Sequence, residues 1–395
     1  MFQLSSNSLK ALLHLANLQF TPRMASTLLT WFDWQPERIF EAPDSEFDHI
    51  PGFLSRQLIK LRDPAYEATE RQWLWMEKTQ STVLMANSPD FPDALRDIPD
   101  APAFLFLRGT LTREDLSGVG MVGSRHATPY GIGVAEKISA ELAENGVTVI
   151  SGGAAGIDTA AHKGALNAGG RTIAILGCGL DVDYPRENRM LFERIVENGA
   201  CISEYNLGAQ PESYRFPQRN RIISGLSLGT LVVEAPRQSG SLITARFAAE
   251  QGRTVLTIPA NIDRPNSLGS NDLLKEGAIP VTETADILLA LRLVQVPARK
   301  TDQITFAFDA DEEAPSESKA AASEGKTMKS INRLLQELPE TQKKLASQLS
   351  ETPKHIDALA EAAGLSAATA GFEMTMLELA GIVRRMPGNT YILAV

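Results

Sequence analysis

Cysteine is almost missing from this chain: Cys178 and Cys201 are the only two among 395 residues. That excludes a disulfide framework and any cysteine-based zinc spacing. Both are read as small core residues of adjacent strands. Long apolar runs are missing too. No stretch approaches the roughly 20 apolar residues that cross a bilayer. No basic segment followed by an apolar run opens the sequence, so a signal peptide is not expected. A cytoplasmic protein without membrane contact is the expectation. H-E-x-x-H, C-x-x-C and the P-loop pattern G-x-x-x-x-G-K-[ST] are absent, and no G-x-S-x-G nucleophile elbow is read, which speaks against metallopeptidase, redox, ATPase and serine-hydrolase chemistry. The five histidines (His14, His49, His126, His162, His355) belong to no nucleophile–base–acid set. His162 and Asp158, one helical turn apart, are read as a buried polar pair. No cofactor is expected, and binding is favoured over catalysis.

Positive charge is also in short supply. The net charge is -10, with 43% hydrophobic and 22% charged residues, a globular composition. The deficit is uneven. Residues 1–103 carry 9 Lys/Arg against 14 Asp/Glu, whereas residues 104–292 carry 18 against 20. A nearly neutral segment can still present a basic face, and local potential decides whether a polyanion is attracted.

What is present is a change of pattern along the chain. Residues 1–75 read as short helices, as in "SSNSLKALLHLANL", with apolar residues at helical spacing behind Ser caps. The turn Ile50-Pro51-Gly52-Phe53 resembles a helix-hairpin-helix turn, with a plain bundle turn preferred because the local charge is acidic. From Phe104, short β-branched runs ("VGMVGSR", "VTVIS", "TIAILG", "CISEY", "TLVVEA", "TVLTIP") alternate with helical stretches. That alternation predicts a doubly wound α/β domain, its parallel sheet covered on both faces. The boundaries are placed at 1–75 for the helical domain and 76–295 for the α/β domain. Residues 296–328, rich in Ala, Ser, Pro and acid, are read as a flexible linker. Residues 329–395 are read as a winged helix: three helices and a β-hairpin with Gly388-Asn389 at its tip.

In open α/β sheets ligands sit at the carboxyl ends of the strands. The segments after successive strands are Gly-rich or Arg-bearing: Gly123-Ser124-Arg125; "SGGAAGID" with Gly153, Ala154 and Gly156; "DVDYPREN" with Arg186 and Asn188; "RFPQRNRIISGLS" with Arg215, Phe216, Arg219, Asn220 and Arg221; and "PRQSGSLITA" with Gly240 and Ser241. Singly, each has a bland explanation: a tight turn, a salt bridge, a solvated helix face. Recurring along one sheet edge, they point to an anion site made of loop amides and guanidinium forks. Phe216 offers a ring on which a base can stack, which favours single-stranded nucleic acid, with a core position as the even alternative.

Those stretches, with "SGGAAGIDTAAHKGAL", "YPRENRML", "SEYNLG" and "VLTIPANIDRPNSLGSNDLLKEGA", resemble the DNA processing protein A (DprA/Smf) family, densely over about residues 104–290. The resemblance implies an extended Rossmann-like core, an N-terminal sterile-alpha-motif-like domain and a C-terminal winged helix. It implies a homodimeric protein that binds single-stranded DNA, protects incoming strands during natural transformation and loads the RecA recombinase. Arg125, Arg186, Arg215, Arg219 and Arg221 are carried over as phosphate contacts, with Phe216 as a stacking ring. One departure stands out. The expected recognition helix, about residues 367–379, lacks Lys and Arg and carries Glu373 and Glu378. The winged helix is therefore read mainly as a protein-contact or structural module, with Arg384 and Arg385 near its wing.

Two rivals remain. The core also resembles phosphoribohydrolases, nucleotide enzymes with a P-G-G-x-G-T-x-x-E motif. Here "SGLSLGTLVVE" keeps Gly-Thr and Glu234 but lacks the Pro-Gly-Gly loop, and Glu234 has the alternative role of orienting a neighbouring Arg. The weaker rival is a regulator that grips duplex DNA through the winged helix.

Overall fold

The computed structural model describes residues 4–62, 66–293, 340–349 and 354–366, with short stretches among 369–393. Among the described residues, six helices lie between Ser6 and Thr79. The first is capped by Ser5, whose side chain accepts from the Ser8 amide. The second is capped by Thr21, with Pro22 at its first position. The Ile50–Phe53 segment is a turn between Asp44–Phe47 and Ser55–Leu61, with Gly52 at φ 74°.

A nine-stranded sheet follows: β1 Thr82–Met85, β2 Phe104–Gly109, β3 Val119–Val122, β4 Val149–Ser151, β5 Thr172–Leu176, β6 Gly199–Ser203, β7 Gly229–Val232, β8 Thr254–Thr257 and β9 Ile279–Pro280. Their spatial order is β1-β2-β6-β5-β4-β3-β7-β8-β9. From β6 to β9 every pairing is parallel. β1 and β2 join antiparallel beyond β6, Phe106 opposite Ser203 and Val83 opposite Phe106. The parallel doubly wound core is as anticipated; the antiparallel extension is not. "TVLM" and "FLFLRG" are apolar runs without period-2 alternation, so their pattern does not separate strand from buried helix.

Residues 1–301 form one compact unit and residues 302–395 another. Within the first, the N-terminal helices share a core with the sheet: Leu12, Leu28, Phe32 and Phe47 belong to the same buried cluster as Phe106, Leu176, Phe192 and Leu207. Polar ties reinforce the seam. Asn17 Nδ2 donates to Gln72 Oε1 (2.8 Å), Gln72 Nε2 to the Leu207 carbonyl (2.8 Å) and Asn206 Nδ2 to Asn17 Oδ1 (2.9 Å). The opposite faces of the sheet hold two further clusters, centred on Ile150, Ile173 and Ile222 and on Met121, Val149 and Leu231.

The second unit is a winged helix. Helices Glu340–Ser347 and Ile356–Ala363 pack with strands Lys354–His355, Val383–Met386 and Thr390–Leu393, the last between the other two. Leu345, Leu359, Met374, Leu377 and Tyr391 form its core. The expected linker 296–328, the hairpin tip Gly388-Asn389, Glu378 and the side chains of Arg384 and Arg385 lie outside the described residues.

Candidate nucleic-acid interface

The strand order reverses at β3: the chain runs outward through β4, β5 and β6, then returns to place β7 on the other side. The loops leaving β3 and β7 therefore diverge to opposite faces, and a crevice opens between them. It is a cleft of about 500 Å3. Ser124, Arg125 and His126 come to it from β3, Ala154 and Asp158 from β4, Tyr184 from the loop after β5, and Ser239, Gly240 and Ser241 from the loop after β7. The helix Arg215–Leu226 closes it with Phe216, Arg219, Asn220 and Ile223, residues spaced to share one helical face.

Arg125 is exposed and stands over the Phe216 ring, with its guanidinium carbon 4.7 Å from the ring centroid. The same ring lies 5.4 Å from that of Tyr184, tilted by 40°. Phe216 is thus a wall of the cleft rather than core. Arg219 is buried, 3% exposed, and its Nη1 donates to the Gly152 carbonyl at 2.6 Å. A Cβ at Gly152 would meet Arg219 Nη2 at 2.5 Å and Asp158 Oδ2 at 2.6 Å, so only glycine leaves room for both. Burial lowers the Arg219 pKa to about 10, which still leaves it cationic at neutral pH. Burial also raises the Asp158 carboxyl above its usual range, against the pull of Arg219 and Arg125.

The remaining loop residues shape the cleft. Gly153 (φ 67°) and Gly156 (φ 80°) adopt the left-handed backbone that glycine favours, and Gly156 presses against the carbonyls of Ser124 and Arg125. Asn188 is buried and donates to the Gly153 carbonyl (3.0 Å) and Thr159 Oγ1 (2.7 Å), which ties the β5 loop to the β4 loop. Ser239 caps the helix Gly240–Glu250, accepting from the Ser241 amide. Arg186 is exposed, two residues beyond Tyr184, and does not line the cleft.

The arginine cluster divides. Arg221 leaves the cleft: it grips Glu204 with both terminal nitrogens (2.8 and 2.7 Å) and donates to the Asp100 carbonyl (3.0 Å). Arg215 packs its guanidinium 5.1 Å from the Tyr205 ring centroid and 5.6 Å from that of Tyr214, and donates to the Gln210 carbonyl. Neither lines the cleft, because both project from other faces of a helix that is buried almost all round.

Other expectations change. Glu234 orients no arginine; it is buried and accepts from the Thr128 amide and hydroxyl, fixing the start of the helix Pro129–Glu144. His162 pairs through Nδ1 with Thr172 Oγ1 (2.7 Å) rather than with Asp158, and burial holds its pKa down to about 3. Gly225–Gly229 does spell G-x-S-x-G. It lies between a helix and β7, the reverse of a nucleophile elbow, and Ser227 is buried with its Oγ donating to the Ile223 carbonyl. Burial pushes the thiols up, Cys178 to about 11 and Cys201 to about 12, as for inert core residues. In the winged helix, Glu373 accepts from Gln342 Nε2 at 2.8 Å, an internal tie. Tyr184 and Ser239 escaped sequence reasoning. The available signals were the aromatic directly before Pro185 and a serine directly before a helix start.

The site is an anion-receptive cleft at the switch point of an open α/β sheet, with a guanidinium over an aromatic ring and a serine-capped helix N-terminus beside it. That is the architecture of a nucleotide- or nucleic-acid-binding Rossmann-like protein. The chain belongs to the DNA recombination-mediator protein A (DprA/Smf) family, whose signature matches residues 82–292, while the DprA winged helix signature matches residues 332–389. It is 35% identical over 364 residues to Protein Smf of Synechocystis sp., covering 90% of this chain and 91% of that one. It is 46% identical over 198 residues to DNA processing protein DprA of Streptococcus pneumoniae, 50% of this chain and 70% of the relative. The X-ray structure of the latter superposes with a TM-score of 0.56 at 33% identity, covering 73% of this chain and 98% of that one. The family is defined by DNA processing and recombination mediation, not by a catalysed reaction. Among the described residues no helix is long and apolar enough to cross a membrane.

Proposed function

We propose that this DNA recombination mediator works by gripping single-stranded DNA in the switch-point cleft, and that it acts in the cytoplasm as a homodimer that protects incoming strands and hands them to RecA during natural transformation. The observation that carries the strand-binding reading is Arg125 over Phe216 at the cleft. A base stacked on a ring and a phosphate on the adjacent guanidinium are the two contacts that sequence-tolerant single-strand binding requires. A duplex offers its phosphates but keeps its base faces stacked, so the ring favours the single strand. Arg219 supplies a second cation from the floor. The Ser124 and Ser241 hydroxyls and the Gly240 backbone line the same cleft, while the Ser124, Ala154 and Ser241 amides are already engaged by the Glu234 carbonyl, Asp158 and Ser239. Arg186 flanks the cleft as an outer phosphate contact. Gly153, Gly156, Asn188, Arg215 and Arg221 act by holding the shape. Dimerisation and delivery to RecA rest on the family resemblance alone.

The test is oligonucleotide binding, single-stranded against duplex, at two salt concentrations. Each lost stacking or charge contact is worth roughly 1–3 kcal/mol, so Arg125→Ala and Phe216→Ala should each weaken single-strand binding about tenfold or more. Arg125→Ala should also flatten the salt dependence. Folded variants that bind like the parent would overturn the reading. Release of free base from nucleoside monophosphates would instead support the nucleotide-enzyme rival.

A further inference from the structure

A second cavity, of about 670 Å3, opens on the same edge of the sheet where β3 and β8 end. It shares the β3 loop with the switch-point cleft: Ser124–His126 face the cleft, and Thr128–Tyr130 line the second cavity. Its other wall is the segment after β8, with Asn261, Arg264 and Asn266. Three features set it apart. Its lining holds no carboxylate, whereas the switch-point cleft includes Asp158 and the cavity beside Arg237 includes Asp272 and Glu276. Tyr130 is 64% exposed, a large ring held at the start of a helix instead of packed away. Arg264 has no carboxylate within ion-pairing distance among the described residues, whereas Arg237, Arg221 and Arg171 each have one. Glu234 lies behind Thr128 but is buried and engaged there.

We infer that this cavity is a second strand subsite, in which Tyr130 stacks a base and Arg264 holds a phosphate, so that single-stranded DNA runs from the Phe216–Arg125 cleft over the β3 loop to Tyr130. The inference rests on the cleft being the primary strand site. A ring, an unpaired guanidinium and free side-chain amides suit a sequence-tolerant strand track. They suit a protein partner less, since an obligate protein interface would bring more apolar surface.

The full chain is titrated with fluorescent oligothymidylates of about five and about fifteen nucleotides, lengths that bracket the site size of one binding module. The variants are Tyr130→Ala, Tyr130→Phe, Arg264→Ala and Arg125→Ala, each first shown to unfold at the parent's midpoint. Tyr130→Ala and Arg264→Ala should weaken the long oligonucleotide about tenfold and leave the short one unchanged. Tyr130→Phe should keep both affinities. Arg264→Ala should also reduce the single-strand salt slope by about 0.7, the contribution of one phosphate. If Arg125→Ala weakens both lengths while Tyr130→Ala and Arg264→Ala weaken neither, the second subsite is refuted and the cleft stands. The cavity then belongs to another ligand, such as a protein partner. If Arg125→Ala changes nothing, the cleft reading fails first, and a loss confined to the Tyr130 and Arg264 variants would make this cavity the primary site instead.

Discussion

Two arginines two residues apart on one helix do opposite work. Arg219 turns toward the cleft, with one nitrogen on the Gly152 carbonyl and Asp158 for company. Arg221 turns away and is saturated by Glu204, the two side chains 8% and 13% exposed. A half-removed buried pair strands a charge, which costs about 3–5 kcal/mol. Arg221→Ala should therefore lower the unfolding free energy by about 3 kcal/mol in urea titration. Removing Glu204 as well should return part of that loss. A variant that unfolds like the parent but binds DNA weakly would show that Arg221 touches the strand after all. At this scale the sequence showed which residues were charged but not which way they faced. Side-chain direction on a helix depends on which face meets the sheet, and "RFPQRNRIISGLS" has too little periodicity to say.

The elements were more legible than the contacts between them. Strands β3 to β8 stand out because parallel strands buried on both faces must be nearly continuous runs of Val, Ile and Leu. The antiparallel pair β1–β2 was hidden for the opposite reason: without alternation, nothing marked its strands as such. The helix Ile157–Asn167 shows how a side chain couples neighbouring elements. His162 on that helix meets Thr172 on β5 in a site that excludes the imidazolium. Its folded pKa, about 3, lies below the unfolded value near 6.5. Below pH 6.5 the unfolded chain gains a proton that the folded chain refuses, so this site's contribution is intact above that pH and declines as pH falls toward 3. The slope approaches about 1.4 kcal/mol per pH unit. Asp158, with its pKa raised, acts with the opposite sign, so the comparison must be made between variants. His162→Gln should show a shallower loss of stability than the parent between pH 6 and pH 4 in urea unfolding. Parallel curves would mean that the imidazole is solvated.

At the scale of the molecule, the cleft and the second cavity both belong to the unit of residues 1–301, and the winged helix is a separate unit. Glu373 is engaged inside that unit, in a segment without Lys or Arg. Deleting residues 329–395 should then leave single-strand affinity and its salt slope within about twofold of the full chain, because neither phosphate gripping nor stacking is lost. A steep, salt-dependent loss on deletion would assign the winged helix a direct DNA contact.

The sequence by itself determined the class of fold, the family and the loops that meet at one edge of the sheet. Those follow from local pattern: apolar runs, helix caps and small residues where backbones must turn. Only the tertiary structure decided that Arg215 and Arg221 are held inside while Arg125 and Phe216 form the cleft wall, that Glu234 serves Thr128, and that the N-terminal helices share the core of the sheet. Each of those outcomes depends on which side of a packed element a residue falls, and that is settled by contacts between segments far apart in the chain.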